Sequence, residues 1–97
     1  MFTVLYRWKI RTGFEQDFVD AWSEVTLFIK NNYGSLGSRL HRGDDGIFYA
    51  YARWQSESQR TKAFAEMPES AASKKMKNAI ESKLPEVKLI VLSDHLK

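Results

Sequence analysis

The stretch from Gly34 to Trp54, GSLGSRLHRGDDGIFYAYARW, constrains the fold more than any other part of the chain. It reads as two β-strands joined by a tight turn. Asp45-Gly46 between two β-rich runs is a strong hairpin signal: aspartate hydrogen-bonds its own backbone in a turn, and glycine supplies positive φ without a Cβ clash. A type I turn over Asp44-Asp45, with Gly46 as the bulge residue, pairs Gly43 with Ile47. That register sets Leu40 opposite Ala50 and Leu36 opposite Trp54. Side chains alternate across a sheet. One face therefore carries Leu36, Leu40, Phe48, Ala50, Ala52 and Trp54, and the other carries Arg39, His41, Ile47, Tyr49, Tyr51 and Arg53. A two-residue turn would flip the first strand alone.

The rest of the chain reads as material that covers this hairpin. Phe2, Val4, Tyr6, Trp8 and Ile10 alternate with Thr3, Leu5, Arg7 and Lys9, the signature of a strand. Phe14, Phe18, Ala21, Trp22, Val25, Phe28 and Ile29 then recur at helical spacing. Thr12 is the expected N-cap, with Glu15 completing a capping box, and Asn31, Asn32 and Gly34 supply the stop. Ser56 to Glu66 predicts a short helix capped by Ser56 or Ser58 and closed by Pro68. Ser70 to Lys83 predicts a further helix, ended by Ser82-Lys83-Leu84-Pro85. Val87 to Leu92 is a dense, β-branched run and predicts the final strand, with Ser93 to Lys97 a polar tail.

The resulting order, β-α-β-β-α-β with its second helix broken at Pro68, is that of an α+β ferredoxin-like plait with an antiparallel four-stranded sheet. Its 97 residues form a single domain, residues 1–97, and a hydrophobic content of 43% supports folding without crosslinks. The chain has no cysteine, which removes disulfides, thiol catalysis and cysteine metal sites and fits a reducing compartment. No apolar run reaches the roughly 18 residues that a membrane helix needs, and Arg7 and Lys9 interrupt the N-terminal apolar run, so no signal peptide is expected. A cytoplasmic location without membrane association follows as an expectation. The net charge of +3 is mild, and the cluster Lys74, Lys75, Lys77 reads as a solvated helix face, so nucleic acid is not an expected partner.

Both helical segments cover one sheet face. The other face would hold Leu5, Ile47, Tyr49 and Tyr51 with Arg7, Arg39 and Arg53 among them. Such an apolar and aromatic patch is large for an exposed surface. A homodimer packed sheet to sheet would cover it, with Leu5, Arg39, Tyr49, Tyr51 and Arg53 as the interface.

The first strand ending in a polar/aromatic pair, Phe18-x-x-x-Trp22 on the first helix, Gly34-Ser-Leu-Gly37 leading into the hairpin, and Ala52-Arg53-Trp54 closing the third strand resemble the antibiotic biosynthesis monooxygenase-like family. The resemblance covers nearly the whole chain and implies a dimeric α/β barrel of ferredoxin-like subunits. In that family the tryptophan ending the third strand lines a pocket between sheet and helices, and Trp54 matches it. The residues agree: Trp54 shares a face with Ala50 and Ala52, which leave room under the helices, and with Tyr6 and Trp8 next door. Trp22 and Phe64 could close the space, and Arg42 could supply a positive charge. The candidate pocket is thus Tyr6, Trp8, Trp22, Arg42, Trp54 and Phe64. The competing expectation is that helix aromatics fill the space over the two alanines and leave a solid core.

The heme-degrading branch of the family uses an asparagine on the first strand and a histidine on the second helical segment. Tyr6 stands at the first position, and AASKKMKNAI lacks the histidine, so heme turnover is not expected. No set of residues at metal spacing includes His41 or His95, and neither metal nor cofactor is expected. The resemblance implies a cofactor-independent monooxygenase of a small phenolic or quinol-like aromatic compound. The alternatives are a non-catalytic dimeric small-molecule-binding or regulatory protein of the same fold and, more remotely, an RNA-binding plait using Tyr49 and Tyr51. No catalytic residue is singled out by pattern.

Overall fold

The computed structural model describes residues 1–96; Lys97, the end of the expected polar tail, lies outside the described residues. The elements are β1 (Phe2–Ile10), α1 (Glu15–Tyr33), β2 (Gly37–Arg42), β3 (Phe48–Trp54), α2 (Glu57–Glu66), α3 (Ala71–Ala79) and β4 (Ile80–Ile90). The four strands form one antiparallel sheet in the order β2-β3-β1-β4. This is the α+β ferredoxin-like plait that the element order predicts.

The hairpin has the expected register, with Leu40 opposite Ala50 and Gly37 opposite Arg53. The Gly43 N–H bonds the Ile47 carbonyl at 2.8 Å, the Gly46 N–H bonds the Gly43 carbonyl at 3.0 Å, and Gly46 has φ 81°. Burial follows the alternation. Phe48, Ala50, Ala52 and Trp54 are buried, while Tyr49, Tyr51 and Arg53 on the opposite face are half-covered.

Helix α1 starts later than the pattern predicts. Its N-cap is Phe14, with no side-chain cap, rather than Thr12. A turn that passes through Gly13 at φ 89° carries the chain past Thr12, closed by the Phe14 N–H on the Arg11 carbonyl at 3.0 Å. Glu15 still folds back, but onto the Gly13 N–H at 2.9 Å. At the other end Gly34, in the left-handed region at φ 77°, stops the helix as expected. Ser56 caps α2 through the Gln59 N–H at 3.2 Å.

The largest departure is at the C-terminus. Helix α3 opens on a reciprocal Ser70–Ser73 capping box but ends at Ala79, not Lys83, and β4 begins at Ile80, not Val87. Pairing with β1 overrides helical propensity here: Ile80 lies opposite Ile10, Ser82 opposite Lys9 and Lys83 opposite Trp8. The Arg11 N–H closes the Ala79 carbonyl at 2.9 Å. Pro85 does not end a helix; it sits in the edge strand, where a missing N–H is tolerated. There the pairing shifts from Arg7–Leu84 to Leu5–Val87, so Pro85 and Glu86 together face Tyr6 across a bulge. Arg7 bonds the Pro85 carbonyl at 2.9 Å from the opposite face.

The core lies between the sheet and α1, α2 and α3. Trp8, Phe18 and Phe48 meet edge to face, with centroids 5.2 and 5.6 Å apart, over Ala50. No helix among the described residues is long and apolar enough to cross a membrane.

Candidate functional site

The two alanines on β3 part company. Ala50 is covered by Trp8, Phe18 and Phe48 in the solid core, whereas Ala52 lines a cavity of about 350 Å³ between the sheet and the helices. The cavity begins where the aromatic core of α1 stops: past Phe18, the next inward side chains are Trp22, Val25 and Ile29, one helical turn apart, and they form its roof rather than fill it.

Each element contributes a wall. The sheet supplies Tyr6 and Trp8 from β1, Ala52 and Trp54 from β3, and Ser38 from β2. Tyr6 and Trp8, two residues apart and so on one face, stack at 5.8 Å with planes 11° apart. Helix α2 brings Phe64, whose ring meets Trp54 at 6.0 Å and 85°. Met76 and Lys77 of α3, with Ile80 and Lys83 of β4, add to the lining. Trp54 is 2% exposed, and its indole Nε1 has no hydrogen-bond partner among the described residues. Five of the six sequence-predicted pocket residues, Tyr6, Trp8, Trp22, Trp54 and Phe64, thus surround one space.

Arg42 does not join them. It sits opposite Phe48 at the turn end of the hairpin, in a separate depression with Glu15, Val19 and Leu40. Phe48 of β3 and Phe18 of α1, in edge-to-face contact, lie between that end and the cavity. The expectation that Arg42 supplies the pocket's charge is corrected by the position of Arg60. The Arg60 Nε donates to the Tyr6 hydroxyl at 2.9 Å. Its guanidinium lies 5.5 Å from the Tyr6 ring centre and 5.0 Å from that of Phe64, and Nη2 is 2.6 Å from a Glu86 carboxylate oxygen. The side chain is 12% exposed. Charges buried this far require a partner, and Glu86 provides it because the β4 bulge turns it toward Tyr6.

This cluster sets the electrostatics of the wall. Burial raises the Tyr6 phenol above the ordinary tyrosine range, and the Arg60 guanidinium and its hydrogen bond offset that in part. Tyr6 is therefore a neutral hydroxyl at physiological pH. Its oxygen accepts from Arg60, which leaves its own proton free to donate to another acceptor. Chemically, the arrangement can hold a planar apolar molecule between aromatic walls and give one hydrogen bond to an oxygen on its rim.

Arg60 escaped the sequence reading, although a signal was present. Arg60, Ala63, Phe64 and Met67 share helical spacing, so Arg60 interrupts the apolar stripe of α2. A lone arginine in such a stripe needs a buried partner. Glu86 was hidden because Pro85 beside it read as a helix stop. His41 is exposed on β2, and His95 contacts only Ser93 within the tail among the described residues.

The chain's residues 1–76 match the family model described as antibiotic biosynthesis monooxygenase. No curated protein matches the chain in sequence. Among solved structures, the fold is similar to that of SnoaB, a cofactor-independent oxygenase from Streptomyces nogalater: the TM-score is 0.79 at 13% identity, over 99% of this chain and 97% of that one. A candidate antibiotic biosynthesis monooxygenase from Bordetella bronchiseptica also scores 0.79, at 14% identity over 95% of this chain and 97% of that one. These likenesses speak for the fold alone. The family match runs from β1 through most of α3 and takes in the cavity residues other than Lys77, Ile80 and Lys83, and on it this chain belongs to the antibiotic biosynthesis monooxygenase family.

Proposed function

We propose that the chain is a cofactor-independent monooxygenase that takes a small phenolic or quinol-like aromatic compound into the cavity. One observation carries this reading: a cavity of about 350 Å³ walled by Tyr6, Trp8, Trp22, Trp54 and Phe64, with a hydroxyl donor held in place by a buried arginine. Its size falls within the range of about 300–1,000 Å³ common to small-molecule sites. Family membership supports the reaction class, and SnoaB is described as a cofactor-independent oxygenase.

The chemistry then rests on the substrate's own electrons. The bound phenol ionises, and the phenolate gives one electron to dioxygen. The substrate radical and superoxide join at a ring carbon as a peroxide anion, which takes up a proton in exchange for the one the phenol lost and becomes a hydroperoxide. Loss of that carbon's proton and scission of the O–O bond leave a quinone and one water, so one oxygen atom enters the product. The protein's part is to stabilise the phenolate. Tyr6 donates to its oxygen, held in position by the hydrogen bond from Arg60, in a cavity lined mostly by apolar side chains.

The same reading includes a homodimer through the sheet face opposite the helices. Leu5, Tyr49, Tyr51, Arg39 and Arg53 share that face, and β4 adds Leu84, Val87 and Leu89 to it by register. Val87 on this face is exposed in the single chain, which supports a second copy over it.

The test is oxygen uptake with a dihydroxynaphthalene and isotopically labelled dioxygen, on the native protein and on Tyr6→Phe. One labelled atom in the quinone, and a clear loss of rate in the variant, are expected. Tight binding of the probe with no uptake would instead favour the non-catalytic binding protein.

A further inference from the structure

We propose that the cavity's ligand carries, besides its phenolic oxygen, an acidic group such as a carboxylate, and that Lys83 receives it; this rests on the reading of the cavity as a site for a phenolic aromatic.

The argument starts from the distribution of charge around the cavity. Its titratable lining side chains are Tyr6, Lys77 and Lys83, and no aspartate or glutamate is among the lining residues. An anion entering the space therefore meets no carboxylate. Arg60, behind Tyr6, is already neutralised by Glu86. Lys77 is paired with Glu69 at 2.9 Å. Lys83 has no carboxylate within 4.0 Å among the described residues, whereas its neighbours Lys9 and Lys88 are paired with Glu81 and Glu57. Lys83 is thus the uncompensated cation of the cavity.

Strand pairing places it there. Lys83 lies opposite Trp8 across β4 and β1, and opposed residues of an antiparallel pair project on the same side of the sheet. The early end of α3, which had concealed this lysine in an expected helix terminus, is what turns it toward the cavity. The aliphatic stem can lie along the indole while the ammonium stays at the water-exposed rim. The two polar features also come from different directions. The Tyr6 hydroxyl is fixed from α2 through Arg60, whereas Lys77 and Lys83 belong to α3 and the strand that follows it. An aromatic with a phenol and a carboxylate on its frame matches a neutral donor and a free cation set apart on one apolar wall.

Calorimetric titration with naphthol and with hydroxynaphthoate tests this. The native protein should prefer the carboxylate-bearing probe by about three- to fivefold, the range of a solvent-screened ion pair, and high salt should erode that preference. Lys83→Gln should reduce it to near parity, while Lys62→Gln, an exposed change of equal charge on α2, should leave it in place. Equal affinity of the native protein for both probes, or a preference untouched by Lys83→Gln, overturns the acidic-group assignment and leaves the aromatic cavity standing. If neither probe binds, the cavity reading falls and this inference falls with it.

Discussion

Tyr6 and Trp54 face the same space with opposite polar habits, and their substitutions should separate accordingly. The Tyr6 hydroxyl is partnered by Arg60, whereas the Trp54 Nε1 is buried without a partner. Tyr6→Phe removes the only hydroxyl on the aromatic wall, and the oxygenation rate should fall about a hundredfold, as when one aligned donor is lost from an anion-stabilising site. The phenol titrates above its ordinary value because burial disfavours the phenolate. Its contribution to stability is therefore whole below pH ~10 and is lost as pH rises past that point toward the folded-state value. Tyr49, bonded to Asp45, shifts in the same direction. Melting temperature should decline from about pH 10 upward in the native protein and more gently in Tyr6→Phe. Trp54→Phe should cost only on the order of 1 kcal/mol in a melt, since the lost packing is partly offset by removal of an unsatisfied buried donor. Its binding of a dihydroxynaphthalene should weaken clearly. A large stability loss with unchanged binding would make Trp54 a core residue and nothing more. At this scale the aromatic half of the site was legible in the sequence, because alternation in β1 and β3 puts those rings on one face. The charged half was not. Arg60 and Glu86 are joined only by tertiary structure, across a bulge that no periodicity announces.

Two glycines show how the elements are joined, and the joins differ in what a methyl group would meet. Gly46 at φ 81° closes the hairpin with open space around it. Gly34 at φ 77° ends α1, and a Cβ there would run into the Gln59 side chain amide of α2. Gly46→Ala should then cost about 1 kcal/mol of backbone strain alone, and Gly34→Ala slightly more, because the end of the Gln59 side chain must also turn aside. Urea midpoints of the two variants at unchanged slope would check the ordering. The hairpin and the end of α1 were readable because each is set by local backbone chemistry. The boundary between α3 and β4 was not. Residues 80–83 are good helix formers, and only pairing with Ile10, Lys9 and Trp8 makes them a strand. Pro85 was decisive in the wrong direction, since a proline beside a polar run looks like a helix terminus until an edge bulge is known to hold it.

The whole molecule is lopsided. Helices bury one face of the sheet, and the other stays half-covered, with Leu5, Tyr49 and Tyr51 flanked by Val87 and Leu89. If a second copy packs there, sedimentation at micromolar concentration should give twice the chain mass of 11.3 kDa, and Tyr51→Asp should yield a monomer or an unfolded chain, because a charge would be buried against the partner. A native protein that sediments as a monomer would end the homodimer reading. The plait itself was legible from element order. That the space beneath it is only partly filled depends on where the rings of α1 fall, and that is decided by packing rather than by pattern. One consequence reaches beyond structure. The chain has three tryptophans, and all three, Trp8, Trp22 and Trp54, line the same cavity. Tryptophan emission therefore originates entirely from its walls. A quinone product absorbing where indoles emit would darken the protein as it forms, so the unlabelled chain is its own optical probe for occupancy and turnover.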